Sequence, residues 1–172
     1  ITTELNGGYA RTIDIDFENL GTFQTRYGYT VLNGGLRNIS GATINGGRFE
    51  LGAPVYVAGT TAGQVTTNAS SFLFQGGPFV TLGGQPILAV TMNTTAGELV
   101  YDQDAGLGTF TNRGVVSVRP GRTLTAAAYS QPEGNTTVFS GAVLASLDGA
   151  LALQGGELAG TGFVNAFVQG DG

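Results

Sequence analysis

The feature that most constrains the fold of this chain is a near-repeat within a short sequence. The stretch LGTFQTRYGYTVLNGGL begins at Leu20 and the stretch LGTFTNRGVVSVRPGRTLT begins at Leu107, an offset of 87 residues. Each places an arginine, Arg26 or Arg113, three residues after its phenylalanine, continues with alternating apolar positions and reaches a glycine turn. A recurring element made of strand and turn residues indicates a structural repeat that stacks on copies of itself. We therefore interpret each stretch as one corner and one side of a solenoid coil.

Composition favours a folded domain. The chain has 172 residues, 41% of them hydrophobic, and its 30 glycines stand beside only 5 prolines. A disordered chain has few apolar residues, so this composition predicts a packed core. We predict a single β-solenoid domain over residues 1–172. The sequence opens ITTELNGG, without the basic and apolar segments of a signal peptide, and we interpret it as a processed or excerpted segment of a longer exported protein.

Missing residue types exclude much of enzyme chemistry. The sequence has no cysteine and no histidine, and its seven positive side chains are all arginines. Triads that use histidine, thiolate or imidazole zinc sites and Schiff-base lysines are therefore excluded. The net charge of −5 does not favour a nucleic-acid partner. We assign no catalytic, cofactor-binding or metal-binding residues, expect no cofactor, and predict that the protein is not an enzyme.

Two acidic groups were weighed as sites. The segment from Tyr9 to Leu20 alternates like a half-buried strand. Its apolar face carries Ile13, Ile15 and Phe17, and its acidic face carries Asp14, Asp16 and Glu18. Three carboxylates on one face are suited to a hard cation, but calcium sites also need backbone carbonyls and a curved loop. A solvated outer face is the favoured interpretation.

The second group is Asp102 and Asp104, which flank Gln103 beside Tyr101. Paired carboxylates are what glycoside hydrolysis requires, one as an acid and one as a base or nucleophile. Acids two residues apart are also common at the edges of solenoids and in weak cation sites. We favour the structural interpretation and keep a carboxylate-based glycosidase or lyase as the minor alternative.

Turn residues locate the expected corners and the expected core. Asn33-Gly34-Gly35 and Asn45-Gly46-Gly47 predict sharp corners, where the asparagine side chains can stack in ladders. The polar segment Gly59 to Ser71 predicts a loop or an outward bulge. The dense apolar segment after it predicts core positions, which we prefer to a sugar-stacking role: Phe72, Phe74, Phe79, Ile87 and Val90.

Four Asn-x-Ser/Thr sequences mark acceptors for N-glycosylation in a suitable secretory host. They lie at Asn38, Asn68, Asn93 and Asn135. Asn68 falls in the segment interpreted as a polar loop. It is therefore the sequon that we predict to be the most accessible.

From Thr137 onward, runs of three to five strand-forming residues alternate with the turns SG, DG, QGG and GTG. The pattern GTFTNRGVVSVRPGRTLTAAAYSQ...TTVFSGAVLASLDGALALQGGELAGTGFVNAFVQGDG resembles the repeats of bacterial secreted proteins with parallel β-helices of the autotransporter-passenger type. That resemblance implies a right-handed parallel β-helix at a cell surface or in an extracellular matrix, often in adhesion, with no catalytic residues to carry over. The alternative fold is a β-sandwich of short antiparallel strands.

On this basis the near-repeat spans about four coils and the chain seven or eight. Neither terminus carries a charged or proline-rich cap, and exposed strand edges template pairing with another chain. We therefore expect a structural or adhesive extracellular β-solenoid, as in a surface filament or a biofilm matrix, that associates end to end. The expected partners are other copies or the remainder of a longer chain. Surface glycans are a further possible partner, and no nucleic acid and no membrane insertion are expected.

Two other functions stay open at this point. The first is a carbohydrate-binding or carbohydrate-cleaving β-helix protein. The second and weakest is ice binding, which needs Thr-x-Thr on one flat face of every coil. In this sequence only the pairs Thr109/Thr111 and Thr123/Thr125 fit that pattern.

Overall fold

The computed structural model describes residues 2–3 and 10–170 of the chain. Those residues form strands joined by turns, and no helix occurs among them. The first strands are Thr2–Thr3 (β1), Ala10–Ile13 (β2), Thr22–Thr25 (β3), Tyr29–Leu32 (β4), Ile39–Ser40 (β5), Thr43–Leu51 (β6), Val55–Val57 (β7), Val65–Phe74 (β8) and Phe79–Thr81 (β9). The later strands are Leu88–Asn93 (β10), Glu98–Tyr101 (β11), Ala105–Asn112 (β12), Val115–Val118 (β13), Thr123–Gln131 (β14), Asn135–Val138 (β15), Val143–Leu153 (β16), Glu157–Gly160 (β17) and Phe163–Gly170 (β18).

The described residues divide into two compact units. Unit 1 takes in the described residues up to Thr66 together with Ser70–Ala89, and unit 2 takes in Thr67–Ala69 and the described residues from Val90 onward. The single-domain organisation predicted from the sequence stays a prediction. Each unit is described below by itself.

In unit 2, parallel pairing links every second strand. One row runs β10, β12, β14, β16 and β18, and the other runs β11, β13, β15 and β17. Asn93 lies beside Asn112 and Val115 beside Asn135, so one coil takes about 20 residues. Because a strand returns to pair in parallel with its equivalent in the preceding coil, the architecture is a parallel β-solenoid.

Unit 1 follows the same rule with longer coils. Parallel pairs join β1 to β3 and β3 to β6, while a four-stranded sheet has the order β2, β4, β7 and β9. An antiparallel hairpin joins β5 to β6. Counted along the chain, the strands make about eight turns of solenoid. The predicted all-β parallel solenoid and its number of coils are confirmed, and the antiparallel sandwich is not formed.

The near-repeat has the predicted structure. Its two copies form a strand, a corner and a second strand, β3 with β4 in one copy and β12 with β13 in the other. The two phenylalanines, Phe23 and Phe110, are fully buried. The alternation that identified the repeat therefore distinguishes the inward face from the outward face in both copies.

The core of unit 1 is built from aromatic rings. Phe49 stacks on Phe72 with ring centroids 5.0 Å apart, and Phe23 and Phe79 contact Phe49 at 6.2 and 6.0 Å. Four of the five predicted core residues are buried: Phe72, Phe79, Ile87 and Val90. Phe74 is half-buried and stacks on Phe72 at 5.4 Å.

The prediction of a polar loop from Gly59 to Ser71 is wrong for its second half. Turns extend to Gln64, and β8 then runs from Val65 to Phe74 with Asn68 and Ser70 pointing inward and buried. The Ser70 hydroxyl donates to the carbonyl of Gly46 at 2.8 Å. Polar side chains that find partners inside a coil make this strand look like surface in the sequence.

Two other boundaries differ from expectation. Asn45-Gly46-Gly47 lies within β6 instead of forming a corner between two sides, and Gly46 and Gly47 adopt φ near +67° and +65°. The strand expected from Tyr9 to Leu20 ends at Ile13, with Tyr9 outside the described residues. Ile15 is 73% exposed, so of the three predicted inward positions only Phe17 is buried.

Unit 2 also contains a column of glycines at one corner. A Cβ on Gly114 would collide with the carbonyl of Gly97, one on Gly134 with that of Gly114, and one on Gly156 with that of Gly134. Gly134 and Gly156 also have φ of +84° and +75°. Each of these positions therefore requires glycine, because the chain of the neighbouring coil passes too close for a side chain.

Candidate functional site

The two carboxylates considered for catalysis lie in the turn between β11 and β12. The Nε of Arg122 donates to Asp102 at 3.3 Å, and the backbone N–H of Thr123 donates to Asp104 at 2.8 Å. Both donors belong to the coil one turn further along. Asp102 and Asp104 thus join neighbouring coils at the surface.

The acidic outer face near the N-terminus has similar partners. Asn33 donates its side-chain amide to Asp14 at 2.9 Å, and Arg37 donates to Asp16 at 2.8 and 3.1 Å. The hydrogen bond and the charge of Asp16 raise the pKa of Arg37. Glu18 is exposed. In the part of the chain that the structure describes, no group of three acidic, histidine or cysteine residues is arranged to hold a metal ion.

A row of amide side chains runs through the interior of unit 2. The Nδ2 of Asn68 donates to the Oδ1 of Asn93 at 2.8 Å, and the Nδ2 of Asn93 donates to the Oδ1 of Asn112 at 2.9 Å. The Nδ2 of Asn112 continues the row to the Oε1 of Gln131 at 3.4 Å. All four side chains are fully buried. We call this row the amide ladder.

The ladder ends in a buried hydroxyl pair. Thr136 donates its hydroxyl to the Oε1 of Gln131, and the Tyr129 hydroxyl lies 2.7 Å from the Thr136 hydroxyl. The Gln131 amide donates to backbone carbonyls, including that of Glu157 at 3.0 Å. Burial raises the pKa of Tyr129, so this phenol stays protonated at neutral pH. The asparagines expected to form a ladder were Asn33 and Asn45, and those that form it come from other positions.

The structure reverses the order of accessibility of the four sequons. Asn68 and Asn93 are fully buried in the amide ladder, and Asn38 is 3% exposed. Asn38 donates to the carbonyls of Asn19 and Asn45 at 2.9 and 2.7 Å. Asn135 is exposed. The prediction that Asn68 is the most accessible is therefore wrong, and Asn135 takes its place.

The threonine pairs do not extend from coil to coil. Thr109 and Thr111 lie beside Ala128 and Ser130, and Thr125 lies between Gly106 and Ala145. A flat ice-binding face needs threonine in each successive coil. That requirement is not met at these positions.

The last strand in one row of unit 2 has an open edge. In the described residues β18 pairs with β16 and with no other strand. Its sequence FVNAFVQG contains no charged residue and no proline, the residues that usually block an edge. The N–H and C=O groups along that edge are consequently available to another parallel strand.

The side chains of β18 are also uncovered. Leu144 and Leu151 of β16 are 0% and 1% exposed, whereas Val168, which lies beside Leu151, is 43% exposed. Phe163 and Phe167 are 68% and 70% exposed. The same inward position that is closed in β16 is thus open in β18.

An outward aromatic surface lies on the four-stranded sheet of unit 1. Thr30 and Leu32 of β4 and Val55 and Val57 of β7 are buried, so the alternate residues point outward. These alternate residues and an adjacent exposed leucine form what we call the tyrosine patch: Tyr29, Val31, Tyr56 and Leu82. The sequence alternation indicated that Tyr29 and Val31 share one face, and Tyr56 joins them through the pairing of Val31 with Tyr56.

Comparison with known proteins gives no relative: no protein-family model matches the chain, and no curated protein or solved structure is significantly similar to it. Within residues 2–3 and 10–170, no helix has the length and apolar character needed to cross a membrane.

Proposed function

We propose that this protein is a structural or adhesive β-solenoid that associates end to end in an extracellular or cell-surface filament. The observation that carries the proposal is the open edge of β18, with its uncovered Phe167 and Val168. A strand edge of this kind is completed by another parallel strand. The partner coil belongs to another copy or to further solenoid in a longer chain.

The solenoid interior supports this role. Each coil of unit 2 is held to its neighbours by parallel strand pairs and by the amide ladder, and neither depends on a ligand. A coil added to β18 would gain backbone hydrogen bonds and cover apolar surface at once. The acids that suggested a glycosidase, Asp102 and Asp104, are bonded to a neighbouring coil, which is consistent with a structural role.

Self-association is tested by sedimentation velocity and negative-stain electron microscopy of the purified chain over a wide range of concentrations. We expect particles that lengthen as concentration rises. The variant Phe167→Lys places a charge on the open strand and should weaken association at least tenfold. Leu147→Lys is the matched control, because Leu147 is 74% exposed but lies on β16.

Two results would contradict the proposal. A chain that stays monomeric at every concentration shows that the edge of β18 does not join copies. Equal loss of association in Phe167→Lys and Leu147→Lys shows that contact occurs through general surface apolarity instead of through the strand edge.

A further inference from the structure

We propose that the tyrosine patch and the groove beside it form a binding site for a neutral oligosaccharide. The site lies in unit 1 and is independent of the association through β18. Its first component is the pair Tyr29 and Tyr56, which come from neighbouring coils and meet edge to face with ring centroids 5.6 Å apart. An edge-on pair leaves more ring face open to a ligand than a stacked pair would.

The second component is a polar groove that shares Leu82 with the patch. It is lined by hydroxyl and amide groups that include Thr60, Thr81 and Gln85. The Thr60 hydroxyl donates to the carbonyl of Val57 at 2.8 Å, which leaves its lone pairs to accept. The Thr81 hydroxyl accepts from the N–H of Gln85 at 3.2 Å, which leaves its proton to donate.

This combination fits the chemistry of a sugar. A pyranose presents apolar C–H faces that pack on aromatic rings, and hydroxyl groups around its edge that both donate and accept hydrogen bonds. The patch and the groove enclose about 430 and 360 Å³. Both volumes lie within the range of sites for small ligands.

The charge of the lining selects the class of sugar. Neither the patch nor the polar groove is lined by a charged residue. Two other grooves of unit 1 do contain charges, Asp16 with Arg37 in one and Arg26 with Glu50 in the other. Uronates and sulfated sugars need cationic partners, so an uncharged site is complementary to a neutral saccharide.

The test is affinity electrophoresis in native gels that contain one polysaccharide each. The neutral probes are hydroxyethyl cellulose, mixed-linkage β-glucan, galactomannan and arabinoxylan, and the anionic probes are alginate and polygalacturonate. We expect at least one neutral probe to retard the protein and neither anionic probe to do so. Titration with a hexasaccharide of the retarding backbone then gives the affinity.

Matched variants assign the binding to the patch. Tyr29→Ala and Tyr56→Ala should each weaken retardation by roughly tenfold, and the double variant should abolish it. Tyr27→Ala is the control, since Tyr27 is 54% exposed and lies in the same unit but in a charged groove. Tyr56→Phe keeps the ring and should retain most of the affinity. Circular dichroism of each variant checks that the fold is kept.

The proposal is overturned if no neutral probe retards the protein, if only the anionic probes do, or if Tyr27→Ala is as damaging as the patch variants. It is also overturned if Tyr29→Ala and Tyr56→Ala alter sedimentation and leave retardation unchanged. That last result would make the patch an interface between copies.

Discussion

The interior of unit 1 is filled mainly by phenylalanine rings, whereas the interior of unit 2 contains a row of hydrogen-bonded amides. In unit 1 the rings of Phe23, Phe49 and Phe72 contact one another at 5.0 to 6.2 Å. In unit 2 Asn93 and Asn112 bond at 2.9 Å and are fully buried. Two chemically different interiors therefore support the same parallel strand pairing.

Coil length differs in step with the interior. Thr22 lies beside Arg48 and Val55 beside Phe79 in unit 1, so these coils take 26 and 24 residues. In unit 2, Asn93 lies beside Asn112, which is a coil of 19 residues. Apolar packing is non-directional and tolerates this variation, whereas a hydrogen bond between amides requires fixed distance and angle. The amide ladder accordingly specifies register, and the ring stack mainly provides buried apolar area.

The largest expected effect comes from breaking the ring stack. Phe49→Ala removes a fully buried ring with three aromatic neighbours and should lower the free energy of unfolding by about 3 to 5 kcal/mol. Urea unfolding measures the loss, and amide hydrogen exchange should rise most in unit 1. Phe74→Ala is the control, because Phe74 is half-buried and should cost clearly less. A loss below about 1 kcal/mol for Phe49→Ala would show that the stack is not the main stabilising feature of unit 1.

The next effect comes from interrupting the amide ladder. Asn93→Ala leaves the Nδ2 of Asn68 and the Oδ1 of Asn112 without their buried partner and should cost about 2 to 3 kcal/mol. Urea unfolding again gives the loss, and exchange should rise most in unit 2. Asn135→Ala replaces an exposed asparagine of the same unit and should change stability by about 0.5 kcal/mol or less. If the two variants lose equal stability, the ladder does not contribute beyond surface asparagine.

The smallest effect is a pH dependence that belongs to unit 2. Burial raises the pKa of Tyr101 and of Tyr129, which are 4% and 2% exposed. Above a pH of about 10 the unfolded chain loses these two protons while the folded chain keeps them, so the folded state binds more protons and stability falls as pH rises. The expected loss is roughly 1.4 kcal/mol per tyrosine at pH 11.

Urea midpoints between pH 8 and pH 11 measure this slope. Tyr101→Phe and Tyr129→Phe should each flatten it, and Tyr27→Phe in unit 1, where the ring is 54% exposed, should leave it unchanged. A slope that is the same in all three variants would mean that other groups govern alkaline unfolding.

The sequence was sufficient for the architecture because strand alternation and glycine corners are local signals. Phe23 and Phe110 identify the inward face of the repeat, and the offset between them gave the number of coils. The interior of β8 was missed because a buried amide is recognised only with its partner, and Asn68 bonds to Asn93, 25 residues away. Composition alone treats such a strand as surface.

The candidate sites were predictable to different degrees. Asp102 and Asp104 are a visible pair in the sequence, but their bonds to Arg122 and Thr123 depend on coil length. The tyrosine patch needs the register between β4 and β7, because a shift of one residue would turn Tyr56 inward. The open edge of β18 was expected from the absence of blocking residues, and its role in association stays a proposal.

The glycine column of unit 2 has a consequence for how such a chain can change in length. Gly114, Gly134 and Gly156 follow one another at intervals of 20 and 22 residues, and each must meet the backbone of the coil before it. The extra residues are accommodated in the irregular segment of β16 between Ala145 and Ala150, which includes the exposed Leu147. A small insertion is therefore tolerated where the chain can loop outward, whereas an insertion at the corner displaces a glycine and fails. Duplication of a complete coil brings its own glycine, so the chain can be extended by whole coils without redesigning any contact already present.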